Sequence, residues 1–464
     1  MLRFVLAFFL FCCAPSCLAD EQARSVSAEV SATAGRSAQR RFFELDQRII
    51  MEGIALARFN IHFYRKANEY WWLRGWLYPF GQEAGTGTSL AGSLVDLSAR
   101  ADAWNNPSRL SVGILRRGQA CGITGNIISG SSSTSELLQN GLVVWKADQQ
   151  GFSPSASLAT VKSHLNTIDE LLAERGQLVA NSGLSESENK IRTLEGLVMG
   201  RIRDQLVYEF RKRSSYSREL MWQQNTFYTL DVLQNFTQMT SGVLSVRAFH
   251  NSVLKGPSGI TSLAASSVAA LNPAVSTLLA HQVRMRRKAF LAKALPYRYW
   301  DPSTEPTAEW VEAQELLAGA RGTGILKDLA FLSKNSARYD RTLDREITRI
   351  NRLREVARQQ AISGPIIGLA NVAQSLSATI AAYSFTDAPI NGNRLLLAGR
   401  ISKIGGQGYS MANTGLARFR KTFYDRRLKK QGLSPDQVFE ERLRRLDKLE
   451  TQVKAATPPD ESRY

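Results

Sequence analysis

Large apolar residues recur along this chain mainly at helical spacing. Between Ala38 and Ala67, Leu45, Ile49, Leu56, Phe59 and Phe63 fall at steps of 3, 4 and 7, which predicts one amphipathic helix. A second is predicted from Ser157 to Val179, with Leu165, Ile168 and Leu172 in register and a break at Asn181–Gly183. Ser185 then stands three residues before Glu188, the signature of a capping box. Behind it Ile191, Leu194, Val198, Ile202, Leu206 and Phe210 keep the same spacing, and no Pro or Gly interrupts Arg201 to Ser241. A helix of ~50–60 residues, ~75–90 Å long, fits this pattern, as does a bent pair. Residues 336–360 carry Leu343, Ile347, Ile350 and Ala357 as another stripe. At Ser434–Gln437 a capping Ser precedes Pro at the first helical position, opening a basic helix to about Lys454. No segment alternates as a strand would. The fold class predicted is mainly α: long amphipathic helices in an elongated bundle, with Gly/Ala/Ser-rich helical hairpins.

Between the amphipathic helices lie small-residue stretches. Three begin alike: Ser89 opens SLAGSLVDLS, Ser262 opens SLAASSVAAL and Gly368 opens GLANVAQSLS. Gly and Ala at such positions let helix backbones approach closely, in water or in lipid. Two stretches, Gly256–Ala280 and Ala361–Thr386, carry no charge and have the length that crosses a bilayer core. The first is rich in Ser and Thr and holds Asn272, Pro257 and Pro273, so its insertion is marginal; the second is more apolar. Arg284, Arg286, Arg287 and Lys288 follow the first, and Arg349, Arg352, Arg354 and Arg358 precede the second, as in a hairpin with its basic connection on the cytoplasmic side. The basic C-terminal region opposes that arrangement. Three readings compete: the core of a soluble bundle, a two-pass anchor, and a hairpin sheltered until it meets a membrane. The last resembles α-helical pore-forming toxins in architecture alone.

Composition narrows the compartment. Residues 1–19 read as a secretory signal peptide, with Arg3, an apolar run and cleavage after Ala19. Residues 20–39 read as a flexible leader. The remainder divides into a helical region at 40–155 with an aromatic cluster and the first small-residue stretch, a long-helix region at 156–290, and a C-terminal helical region at 291–464. Of the four cysteines only Cys121 lies beyond the signal, so no disulfide framework staples the mature chain. The net charge is +18 and the pI about 9.9, which favours anionic partners. Export disfavours nucleic acid and brings forward membrane lipid or an anionic envelope polymer, with a protein partner or self-association through helices as a further expectation.

Catalytic chemistry is not announced. His62, His164, His250 and His281 are far apart, and no HExxH, phosphate loop or GxSxG elbow occurs, so no cofactor or metal is expected. Glu44, Asp46 and Glu52 read as carboxylates on solvated helix faces. The stronger signals are basic and aromatic. Trp71, Trp72, Arg74, Trp76 and Tyr78 cluster before the first small-residue stretch. Arg284, Arg286, Arg287 and Lys288 follow the second, with Tyr297, Tyr299 and Trp300 just beyond. Rings prefer the head-group level and cations its phosphates. The sequence points to an exported, envelope-associated structural, anchoring or interaction protein, periplasmic or secreted, and not to an enzyme. The alternatives are a secreted membrane-active helical protein, and a hydrolase of an envelope polymer whose carboxylates have no signature.

Overall fold

A computed structural model describes residues 37–66, 74–301, 352–432 and 435–456 of the chain. The described residues form nine α-helices and no strand. They are α1 (37–66), α2 (Arg74–Asp102), α3 (Val112–Gln149), α4 (Pro154–Asn181), α5 (Glu186–Arg247), α6 (Lys255–Ala294), α7 (Arg352–Ser384), α8 (Pro389–Lys430) and α9 (Pro435–Ala455). The capping box forms: Ser185 Oγ accepts from the Glu188 N–H, and Glu188 Oε2 accepts from the Ser185 N–H. From that cap α5 runs as one helix of 62 residues, not as a bent pair. Ser111 and Ser153 cap α3 and α4 one-sidedly, their Oγ atoms accepting from the Ile114 and Ala156 N–H groups. The small-residue stretches are helical, as the expected Gly/Ala/Ser-rich hairpins require. Gly256–Ala280 lies within α6, and 361–384 within α7. The signal, the leader and most of the helix expected over 336–360 lie outside the described residues.

Two packing regimes share α5. Around its first half, α1, α4, α9 and the end of α6 gather a head with an ordinary apolar core, including Leu45, Leu165, Val198, Phe210, Leu291 and Val453. Each such side chain, fully buried, stabilises by roughly 1.5–3 kcal/mol. Asp46 departs from its expected solvated place. Arg175 of α4, fully buried, donates from Nε to Asp46 Oδ1 at 2.7 Å and from Nη2 to Glu195 Oε2 at 2.9 Å. The helical face of α1 that carries Asp46 is covered by α4 and α5, so solvent is replaced by a guanidinium. Burial still pushes the Asp46 and Glu195 carboxyls above the ordinary range, against the pull of Arg175 and Arg192.

The other regime is a ring. Helices α2, α3, α5, α6, α7 and α8 contact in that order, and α8 closes on α2; every extensive contact among these six is between neighbours in the cycle. All neighbours are antiparallel. Gly85 faces Gly125 while Gly92 faces Gly118 between α2 and α3, and Gly259 faces Thr379 while Ala270 faces Gly368 between α6 and α7. The short connections α2–α3, α5–α6 and α7–α8 therefore lie at the end away from the head. The head end takes the start of α2, α7 and the end of α3, α6 and α8.

The contacts within the ring are close. A Cβ on Gly85 would lie 2.6 Å from the Gly125 carbonyl oxygen, and one on Gly125 would lie 2.5 Å from that of Gly85. Gly141, also on α3, has nothing within 4 Å of such an atom. Gly85→Ala should therefore lower the unfolding midpoint by pushing α2 off α3. Gly141→Ala should raise stability by about 0.5–1 kcal/mol through helix propensity. In the head, Arg175→Met should cost about 3–5 kcal/mol, because it removes the buried cation between Asp46 and Glu195 and leaves both to Arg192, 3.9 Å from the first and 2.9 Å from the second. Denaturant titrations followed by circular dichroism check all three.

Candidate functional site

The ring places its large apolar side chains on the outside. On α7, Ile366, Leu369, Leu376, Ile380 and Tyr383 form one exposed stripe, with Leu369 at 64% exposure. On α6 the stripe is Ile260, Leu271, Val275 and Leu278, with Leu278 at 65%, and exposed Val253 stands in the turn just before it. Trp222, Leu233, Phe236 and Val243 continue it on α5, and Ile127, Leu138, Leu142 and Trp145 on α3. Leu77, Phe80 and Leu94 of α2 and Ile401, Tyr409 and Leu416 of α8 close the belt. Steps of three and four residues keep each stripe on one helix face. The belt from Ile366 to Tyr383 is about 26 Å tall and that from Trp222 to Val243 about 32 Å, at 1.5 Å per residue.

The opposite, buried side is polar. Ser89 and Ser93 of α2, Ser129 and Ser133 of α3, Asp231 and Asn235 of α5, Ser262 and Ser266 of α6, Ser375 of α7 and Gln407 of α8 are all buried. Their hydrogen bonds join the helices. Ser375 Oγ lies 2.8 Å from Ser262 Oγ and 2.9 Å from Ser266 Oγ, and Gln238 Nε2 donates to Ser262 Oγ at 3.1 Å. Asp231, 8% exposed, accepts from Ser133 Oγ and, at 3.0 Å, from Gln82 Nε2. Small hydroxyl and amide side chains satisfy one another without widening the gap between backbones, so this chemistry accompanies close approach.

Each belt segment is nearly free of charge. Residues 256–283, 359–386 and 404–417 contain no Asp, Glu, Lys or Arg, while 75–95, 118–145 and 220–246 contain one carboxylate each, Glu83, Glu136 and Asp231. The sequence marks small-residue stretches on α2, α6 and α7, of which only those on α6 and α7 are charge-free over a bilayer's length. The others are concealed because Gly, Ser, Thr and Asn dilute their hydropathy; the usable signal is at most one charge, a carboxylate, over 14 or more residues. Among the described residues, two helical segments, Ser252–Ala294 and Ile366–Ser384, are long and apolar enough to cross a membrane.

Basic residues lie at both ends of the belt. Exposed Arg117, Arg247, Lys255 and Arg394 stand at the end away from the head. At the head end, Arg286 and Lys288 are exposed, Arg284 pairs with Glu219 at 2.9 Å, and Arg287 lies half-buried over Phe290 and 3.3 Å from Ser214 Oγ. Burial draws the Arg287 guanidinium below its usual range, with Arg218 adding to the effect. Tyr78 is half-buried, its ring 4.9 Å from that of Tyr228. Trp71 and Trp72 lie outside the described residues; Arg74 and Trp76 are in the first turn of α2, and their side chains lie outside the description as well.

Tyr297, Tyr299 and Trp300 are held against α5. Asp204 Oδ2 accepts the backbone N–H groups of Arg298, Tyr299 and Trp300 at 3.0, 2.5 and 2.7 Å. The Tyr299 ring fills the space over Gly200, while Arg211 sits 4.3 Å from the Tyr297 ring centre and Arg201 4.7 Å from that of Trp300. Burial lowers Arg201 to about 10. The sequence grouped these aromatics with the basic cluster before them, but Asp204, the residue that fixes them, is 93 positions or more away and carries no signature. Among the described residues no three His, Cys, Asp or Glu side chains converge as metal ligands would. Comparison with protein-family models, curated proteins and solved structures finds no match. Asp204→Ala should free the segment after α6 and open the Arg298 bond to trypsin, whereas the wild-type protein should resist cleavage there under the same native conditions.

Proposed function

We propose that the protein is an envelope-associated membrane protein whose six-helix ring sits in a bilayer and anchors the helical head at its surface. One observation carries the reading: the ring exposes its large apolar side chains and buries its polar ones, the reverse of the head. An exposed apolar surface of this extent marks a contact surface. Its height matches a hydrocarbon core of about 30 Å. The cations at both ends suit head-group phosphates, each worth about 1 kcal/mol near an anionic surface. With six crossings, the basic C-terminal region falls on the same side as the basic connection after α6, which removes the conflict that a two-pass arrangement creates. The role is structural or anchoring, in a chain exported by its N-terminal signal.

A second reading, insertion of an exported protein as a preassembled ring, draws on the composition of the belt. Four of the six segments are too rich in Gly, Ser and Thr to pass as ordinary spanning helices. The two readings differ in route and share the end state.

Fractionation tests the end state. The mature protein should remain in the membrane pellet through carbonate washing and leave it only with detergent. Leu369→Lys with Ile380→Lys, two changes on the outer stripe of α7, should release it, since a Lys near the bilayer centre costs about 2.5–3.5 kcal/mol. Release of the wild type by carbonate, together with failure to bind added phospholipid vesicles, would overturn the proposal.

A further inference from the structure

At the end of the ring away from the head, α2 and α8 bring three cations around one carboxylate. Asp96 Oδ1 accepts from Arg100 Nε at 2.7 Å, and Asp96 Oδ2 lies 2.5 Å from Arg400 Nη2. Lys403, half-buried one turn along α8 from Arg400, completes the group, and burial with the neighbouring Arg400 draws its ammonium down to about 7 against the pull of Asp96. Asp96 and Arg100 are buried, and the Arg400 side chain is only 12% exposed. The neutral neighbours hold the cations in place: Asn393 Oδ1 lies 3.4 Å from Arg100 Nη1, while Asn393 Nδ2 donates to the Arg100 and Ala103 carbonyls.

The charges do not balance. Both oxygens of Asp96 are already engaged by guanidinium groups, and among the described residues no second carboxylate pairs with these three cations. Buried charge is costly unless it is paired, and here two guanidinium groups share one carboxylate, a surplus of one positive charge to which Lys403 adds when protonated. Planar guanidinium forks with an adjacent ammonium are suited to oxygens of a tetrahedral anion. We propose that the Arg100–Arg400–Lys403 cluster is a binding site for a phosphate-class oxyanion, with Asp96 acting as the brace that aims the two arginines. The phosphate has two sources, a free anion in solution or a phospholipid head group, and the cluster lies near the level of Arg117 and Arg247, where a head group would stand. The site itself does not rest on the membrane reading.

The test uses the full-length mature protein in nonionic detergent. Thermal unfolding is followed during titration with inorganic phosphate, at ionic strength held constant with sodium chloride. A parallel arm titrates phosphatidylglycerol into the micelles. A saturable rise in the unfolding temperature is expected in at least one arm. Lys403→Gln should weaken that response at least tenfold, Lys403→Arg should retain it, and Lys293→Gln, an exposed change in the head half of α6, should leave it intact. A response to phosphate alone assigns a free anion, and a response to the lipid assigns a head group. No saturable rise in either arm, or an undiminished response in Lys403→Gln, overturns the proposal. If Lys403→Gln does not fold, loss of the response in Arg400→Lys, which keeps the charge and loses the fork, decides in its place. Because every arm is run in detergent, failure here is separate from failure of the fractionation test.

Discussion

Backbone-to-backbone approach between antiparallel helices governs the ring. Where Gly85 meets Gly125, a Cβ on either would collide with the facing backbone carbonyl and with the hydroxyl of Ser129 or Ser89, so nothing larger than serine fits beside the contact. The residues flanking such contacts must be small, and those that also need hydrogen-bond partners find them in one another, as Ser262, Ser266 and Ser375 do. Large side chains can then go only outward. The apolar belt and the polar inner side are thus two results of one steric constraint, repeated with Gly368 against Ala270 and with Gly399 and Gly406 on α8 against α7.

Helix α5 joins this arrangement to a different one. In its first half, Val198, Phe210 and their neighbours bury apolar surface against α1, α4 and α9, and charged groups enter the core only when paired, as Arg175 is with Asp46 and Glu195. In its second half the same helix turns Leu233 and Phe236 outward and Asp231 inward. A single uninterrupted helix can serve two environments because helical geometry fixes only the spacing of side chains. What surrounds each face decides which residue types it favours.

Much of the secondary structure was legible. The capping box at Ser185 and Glu188 and the apolar steps of α1 and α4 are local signals, set by groups within one or two turns. The closure of the ring was not legible, because it depends on which helix faces which. The recurring SLAG, SLAA and GLAN segments did mark contact surfaces of α2, α6 and α7, yet nothing in them names the partner helix. The candidate site was legible in part. Arg284 to Lys288 were visible as a cluster, but their division between exposed Arg286 and Lys288 and engaged Arg284 and Arg287 needed the neighbouring face of α5. The Asp96, Arg100, Arg400 and Lys403 group unites residues about 300 positions apart and had no sequence signature at all.

The sequence by itself determined a mainly helical chain, its net positive charge, the capping box of α5 and the small-residue, charge-free character of the stretches within α6 and α7. These follow from periodicity, propensity and composition, which act locally. Only the tertiary structure decided that those stretches pack on each other, that Asp46 is buried while Leu278 and Leu369 are exposed, and that three cations gather on Asp96. The reason is physical: burial and charge balance belong to surfaces formed by distant segments, and a residue's neighbours along the chain do not specify the helix that covers it.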